Sequence, residues 1–293
     1  MSIRRNFGAR VIVYTLLIIW ALTALFPLYY TVITSIKTPN DVYSVVPKFI
    51  PFVDFRPTAE SWTDMFRTRV SSEEQWTFGG GRILLIAKNS LLAALGGATG
   101  ATLLGALAAY GLARFRFRRW KNEDIGFFLI AQRILPPIAL AVPYFVLFNR
   151  LHMLDKLPTL ILVYTAMNTP LVVWLLRDFF ADLPVEVEES ALVDGCSRLG
   201  AFVRIALPLA APGLVVAFLF AFAFSWNEFL FAFTLTFDAA KTLPGQIAGN
   251  VINTGPRYWD LATQGTFVLL PPLLIAVAAN RYIVRGLTLG AVK

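Results

Sequence analysis

Residues able to do chemistry are few in this chain, and most stand alone. A single cysteine, Cys196, and a single histidine, His152, exclude an internal disulfide, a thiolate cluster and a histidine-based metal set. The densest acidic group is Glu186, Glu188, Glu189 and Asp194. Four carboxylates can in principle hold a metal or share an acid–base step. With Arg198 and Arg204 close by and no histidine near, a solvated helix face is the better reading, and no metal site is expected. Two other polar pairs fall inside apolar runs: Gln132 with Arg133, and Asn227 with Glu228. Charge at membrane depth is expensive and suggests function. These residues either line a path for a polar solute or fix helix packing. No Gly-x-x-x-x-Gly-Lys-Ser/Thr phosphate loop occurs, so the chain is not expected to split ATP, nor to be an enzyme.

The elements that must position these residues are apolar. Hydrophobic residues make up 57% of the 293 and charged residues 15%, with mean hydropathy +0.65. A soluble domain carries roughly 25% charged residues. Six runs reach the ~20 residues that cross a hydrocarbon core of about 30 Å: 11–33, 89–112, 125–148, 157–176, 212–236 and 263–284. The first follows Arg4, Arg5 and Arg10, but its apolar stretch is longer than the roughly 7–15 residues of a signal peptide, so a retained helix is expected. Gly96, Gly100 and Gly105 in the second permit close helix packing. Pro136, Pro137 and Pro143 should break or kink the third. The expected fold is an all-α membrane protein of six transmembrane helices.

Orientation follows from the short loops. With the N-terminus inside, the inner segments carry Arg4, Arg5, Arg10, Arg114, Arg116, Arg118, Arg119, Lys121, Arg177, Arg198, Arg204, Arg281, Arg285 and Lys293, and the short outer loops only Arg150, Lys156, Lys241 and Arg257. Both termini are therefore expected in the cytoplasm. The same asymmetry explains the net charge of +8 without nucleic acid. An external loop, 37–88, is rich in Pro and Gly and holds Trp62 and Trp76. His152, in a short outer loop, is expected to be solvated.

The longest cytoplasmic loop, 177–211, lies between the fourth and fifth runs. Pro184 suits a helix start, and Glu186, Glu188 and Glu189 lie where the helix dipole favours negative charge. Gly195 is a natural stop. A second helix should run from Ser197 to Leu207, with Pro208 ending it. Such a helix–turn–helix is either a plain surface loop or a docking site for a partner.

Glu189-Ser190-Ala191, then Gly195, then Ile205-Ala206-Leu207-Pro208 resembles the EAA loop of ABC-importer permeases. That pattern reads Glu-Ala-Ala, three residues, Gly, nine residues, Ile-x-Leu-Pro. Spacing matches throughout, and Ser190 is the one departure. Ser225-Trp226-Asn227-Glu228-Phe229-Leu230-Phe231 and the tail from Arg281 to Lys293 are similar to maltose-type (MalG-like) carbohydrate-uptake permeases, as are Lys241-Thr242-Leu243-Pro244 and Leu135-Pro136-Pro137.

The resemblance implies a single permease domain, residues 1–293, in a bacterial-type inner membrane. It implies a second permease subunit, two ATPase subunits carrying ATP and Mg, and an external solute-binding protein that delivers a sugar or sugar derivative. Alternating access would be driven by ATPases docked on Glu188, Glu189, Ser190, Ala191, Asp194, Gly195, Ile205, Leu207 and Pro208. Arg133, Pro136, Asn227 and Glu228 are candidates for the translocation path. By the same resemblance Asn253, Gly255, Pro256, Tyr258 and Trp259 would meet the binding protein, although a turn with interfacial aromatics explains them too. An ion-coupled secondary transporter would need inverted repeats and midplane carboxylates, neither of which is found. A membrane-embedded enzyme would need clustered catalytic residues, which one histidine and one cysteine do little to supply. An ABC permease for a non-sugar solute is compatible with the docking-loop motif as well.

Overall fold

Backbone groups in hydrocarbon must pair within their own segment, which makes helices of apolar runs. In the computed structural model, which describes residues 7–66, 82–254 and 257–289, the regular elements are all helical, beside one isolated bridge between Pro51 and Phe55. The principal helices are α1 (Phe7–Thr34), α2 (Ile83–Arg114), α3 (Asn122–Ala131), α4 (Pro137–Arg150), α5 (Leu157–Ala181), α6 (Val185–Val193), α7 (Ala211–Trp226), α8 (Leu230–Leu235), α9 (Leu243–Thr254) and α10 (Tyr258–Leu289). Among the described residues, four stretches are long and apolar enough to cross a membrane: Arg10–Thr34, α2, α5 and Tyr258–Val277. Two bent pairs, Asn122–Ile134 with α4 and Arg198–Leu209 with α7, bring the number to as many as six.

The chain divides into two compact units. The first holds α1, the segment after it and the start of α10. Most of α1 is exposed and apolar, with Trp20 76% exposed. An all-round apolar helix belongs in lipid or against another membrane helix. Beyond it, Lys37 is buried, donates to the Lys48 carbonyl at 2.6 Å and lies over the Tyr30 and Phe55 rings. Burial lowers its pKa. Lys48 pairs with Asp41 at 2.5 Å, which holds that carboxyl below its usual range. Asp41 also closes a capping box with Thr38 around the short helix Pro39–Val42. Trp62 donates to Ser35 Oγ, so part of the loop 37–88 is packed structure.

In the second unit Gly96, Gly97, Gly100 and Gly105 of α2 face α5. A Cβ on Gly97 would stand 2.5 Å from Tyr164 Cβ, and one on Gly105 would stand 2.5 Å from Val172 Cγ1. The small residues thus serve helix packing. Asn168 on α5 donates to Ser225 Oγ on α7 at 3.0 Å, a buried polar tie between those two helices.

Both expected and unexpected interruptions occur. The third run breaks at Leu135 and Pro136, which hold extended ψ angles of 128° and 127°, and its halves meet at 89°. A residue before proline avoids the helical region, and here two such residues are adjacent. The fifth run is not continuous to Thr236: α7 ends at Trp226 and α8 begins at Leu230. Asn227 Nδ2 turns back to the Ala223 carbonyl at 2.8 Å, competing with the backbone ladder. The segment 241–260, expected as a turn, is more than that, because α9 fills most of it. The second helix of the loop 177–211 is also modified. It is α-helical at Arg198–Ala201, widens to a π-helix at Phe202–Ala206, and ends after Leu207–Leu209. Pro208 lies inside that last turn, and the π widening precedes a ring that cannot donate to the ladder.

Candidate functional site

The loop 177–211 is built on one closed helix end. At Gly195, φ is +86°. The Cys196 N–H donates to the Ala191 carbonyl at 2.9 Å and the Gly195 N–H to Leu192 at 3.1 Å. This is the Schellman pattern, which a left-handed residue after the helix permits. Ser197 then caps the next helix by accepting from the Gly200 N–H at 3.1 Å. A fixed turn therefore joins α6 to the segment that leads into α7.

The predicted docking residues separate into two groups. Glu189, Ser190, Asp194, Gly195 and Pro208 are exposed, while Ala191, Ile205 and Leu207 are half-buried. Ser190 Oγ donates to the Val187 carbonyl at 3.0 Å, so the departure from alanine adds no unpaired hydroxyl to the surface. Exposed Val187, Leu192 and Val193 give this face an apolar character. Glu188 points the other way and is buried. Its carboxylate accepts from Tyr110 Oη at 2.7 Å and from Arg114 Nε and Nη2 at 3.0 and 2.8 Å. Arg114 Nη2 also donates to the Leu183 carbonyl at 3.0 Å, just ahead of α6. Tyr110 packs on Phe202 and Phe180, with ring centroids 4.7 and 5.6 Å apart. Breaking a buried ion pair costs about 3–5 kcal/mol, because the remaining charge is left uncompensated. Tyr110 and Arg114 escaped sequence reasoning. Arg114 resembled one more topology-setting cation, and Tyr110 one more apolar-run aromatic.

The membrane-depth residues lie apart. Arg133 donates to the Met167 carbonyl at 3.3 Å and stacks over Phe224 at 4.8 Å. With Gln132, Leu135, Tyr144 and Pro170 it lines a cleft of about 160 Å³. Pro136 makes the extended break beside it. Glu228 instead accepts from the backbone N–H groups of Phe231 and Ala232 at 3.0 and 3.2 Å, capping α8, and interacts with Tyr164. Arg133 and Glu228 thus have separate partners.

In the first unit, Tyr43 packs edge-on against Tyr258 and Trp259, while Arg257 stacks on Trp259 and pairs with Asp260 at 3.0 Å. Gly255, Pro256 and the side chain of Asn253 lie outside the described residues. His152 is exposed, with φ of +54°. Sequence reasoning missed Asp155 entirely. Its carboxylate accepts from the backbone N–H groups of Phe237, Asp238, Ala239 and Ala240 at 2.9–3.2 Å. Burial pushes the carboxyl pKa up, but these bonds outweigh it and the net shift is downward.

Helices of membrane length, two bent pairs and a fixed helix–turn–helix are the features of an integral membrane protein. The sequence comparison makes this specific: residues 101–289 match the "Binding-protein-dependent transport system inner membrane component" family, and the chain belongs to it. It is 32% identical to "Probable ABC transporter permease protein y4oR" of Sinorhizobium fredii, over 93% of this chain and 92% of that one. It is 30% identical to "Trehalose/maltose transport system permease protein MalG" of Thermococcus litoralis, over 94% of each. "Trehalose transport system permease protein SugB" of Mycobacterium tuberculosis is 39% identical over 66% of this chain and 71% of its own length. A solved bacterial ABC transporter that imports the acidic polysaccharide alginate shares the fold, with TM-score 0.69 and 19% identity over 96% of this chain and 99% of that one. The chain is therefore a permease component of an ABC importer and does no catalysis itself.

Proposed function

We propose that this chain is one permease of a sugar importer whose ATPase subunits dock on the cytoplasmic loop 177–211. The observation that carries the docking site is the fixed helix end at Gly195, which presents Glu189, Ser190 and an apolar strip outward. The relatives named for trehalose and maltose support the sugar class. In this reading each bent helix pair is one span. That gives six spans with both termini in the cytoplasm, as the placement of Lys and Arg supports.

The solute path runs along the two interruptions, with Arg133 and Pro136 at one, and Asn227 and Glu228 at the other. Broken helices at membrane depth belong where they face protein or a water-filled cavity. A second permease completes the path. An external binding protein meets the surface around Tyr258 and Trp259, with Asn253, Gly255 and Pro256. The solved alginate transporter in complex with a pentasaccharide-bound periplasmic protein supports that arrangement. ATP and Mg belong to the ATPase partners.

Purification of the tagged chain from membranes that also contain the ATPase subunit of its system tests the reading. The expected result is co-purification, and ATP-dependent uptake of labelled sugar in reconstituted vesicles. Sugar uptake by the chain with no ATPase present would overturn it.

A further inference from the structure

We propose that Glu188, Arg114 and Tyr110 form the joint through which movement of the docking loop reaches the second membrane span, with Glu188 acting inward as a positioning residue and not as an ATPase contact. This rests on the importer reading above. Three observations carry it.

First, of the acidic residues in α6, Glu188 is buried while Glu186 and Glu189 are exposed. One helix thus offers a partner an acidic outer face and commits a single carboxylate to the interior. Second, both partners of Glu188 lie on the last turns of α2. Arg114 grips two places at once, the carboxylate and the Leu183 carbonyl. The planar guanidinium suits such divided contact, because its donors are held in fixed directions. A tilt of α6 relative to α2 must break one of these bonds or carry α2 with it.

Third, the ring cluster couples the same place to the neighbouring elements. Tyr110 packs edge-on against Phe180 at the end of α5 and tilted against Phe202 at the start of the π segment, which leads through an 80° bend into α7. Arg198 stacks over Phe115, one residue beyond Arg114. The joint therefore gathers the inner ends of α2 and α5 and the approach to α7. A lone surface ion pair would contribute little, but this pair is nearly buried, with side-chain exposures of 10% and 7%.

The assembled transporter, reconstituted with its ATPase and binding protein, gives the test. Glu188→Gln is expected to keep the ATPase subunit bound while the ratio of binding-protein-stimulated to unstimulated ATP hydrolysis falls at least fivefold. Exchange of the pair, Glu188→Arg with Arg114→Glu, should restore at least half of that ratio. Tyr110→Phe keeps the ring stack and deletes one hydroxyl, so a smaller loss of the same kind is expected. Loss of ATPase retention in Glu188→Gln would make the residue a docking contact and overturn the proposal, as would unchanged stimulation. If Glu188→Gln fails to insert, full stimulation in Tyr110→Phe would overturn it by marking the cluster as a folding element only. Absence of ATPase from the unmutated complex would sink the importer reading instead, so the two failures are distinguishable.

Discussion

At Gly195 the backbone and its surroundings make separate demands, and only the backbone is restrictive. No atom lies within 4 Å of the place a Cβ would occupy, but φ is +86°. Gly195→Val should therefore insert and cost about 1–2 kcal/mol, all of it from the left-handed conformation. Sugar uptake in vesicles is expected to fall severalfold, because the turn that fixes the docking face is strained, with Gly195→Asn milder because asparagine tolerates this conformation. Asp155 gives a pH prediction. Its folded pKa lies below the ordinary carboxyl value, so its contribution is complete above about pH 4 and is lost as pH falls further through the lowered value. Asp155→Asn should cost about 2 kcal/mol at neutral pH and flatten the acid limb of thermal unfolding measured in detergent. Gly195 was legible because its type alone announces a turn. Asp155 and Arg114 were not, because each finds its partners some 70 or more residues away and looks in sequence like any solitary charge.

Among the elements, composition predicted helices well and their interruptions unevenly. The break at Pro136 was legible, since two prolines in a row leave the chain no helical option. The break at Asn227 was hidden, because an asparagine back-bond and a glutamate cap carry no proline or glycine signal. The π segment was hidden because Pro208 reads as a helix stop and not as a widening of the turn before it, and α9 was hidden behind a row of Gly, Asn and Pro. Helix contact between α2 and α5 is the sharpest consequence of the small-residue pattern. Gly105→Leu must push a side chain into Val172, with overpacking that costs about 1–3 kcal/mol. The expected result is a lower melting temperature and less protein recovered from membranes. Gly111, whose added Cβ meets nothing within 4 Å, should accept alanine without loss.

For the whole molecule, the charge asymmetry makes a direct statement about sidedness. In a Cys196→Ser background, His152→Cys should react with a membrane-impermeant maleimide from the outside of intact cells. Val193→Cys, 87% exposed in the native side chain, should react only after the membrane is opened. The opposite pattern would reverse the orientation. One further property follows from where Glu188 sits within α6. The helix runs from Val185 to Val193, so at about 1.5 Å per residue the buried carboxylate divides it into arms of about 4.5 and 7.5 Å. With Glu188 as fulcrum, the longer arm ends at the exposed turn and the shorter beside Leu183 and the end of α5. In the coupling proposed above, such a lever would have a mechanical advantage above one: a wide swing at the turn would become a shorter stroke of greater force beside Leu183.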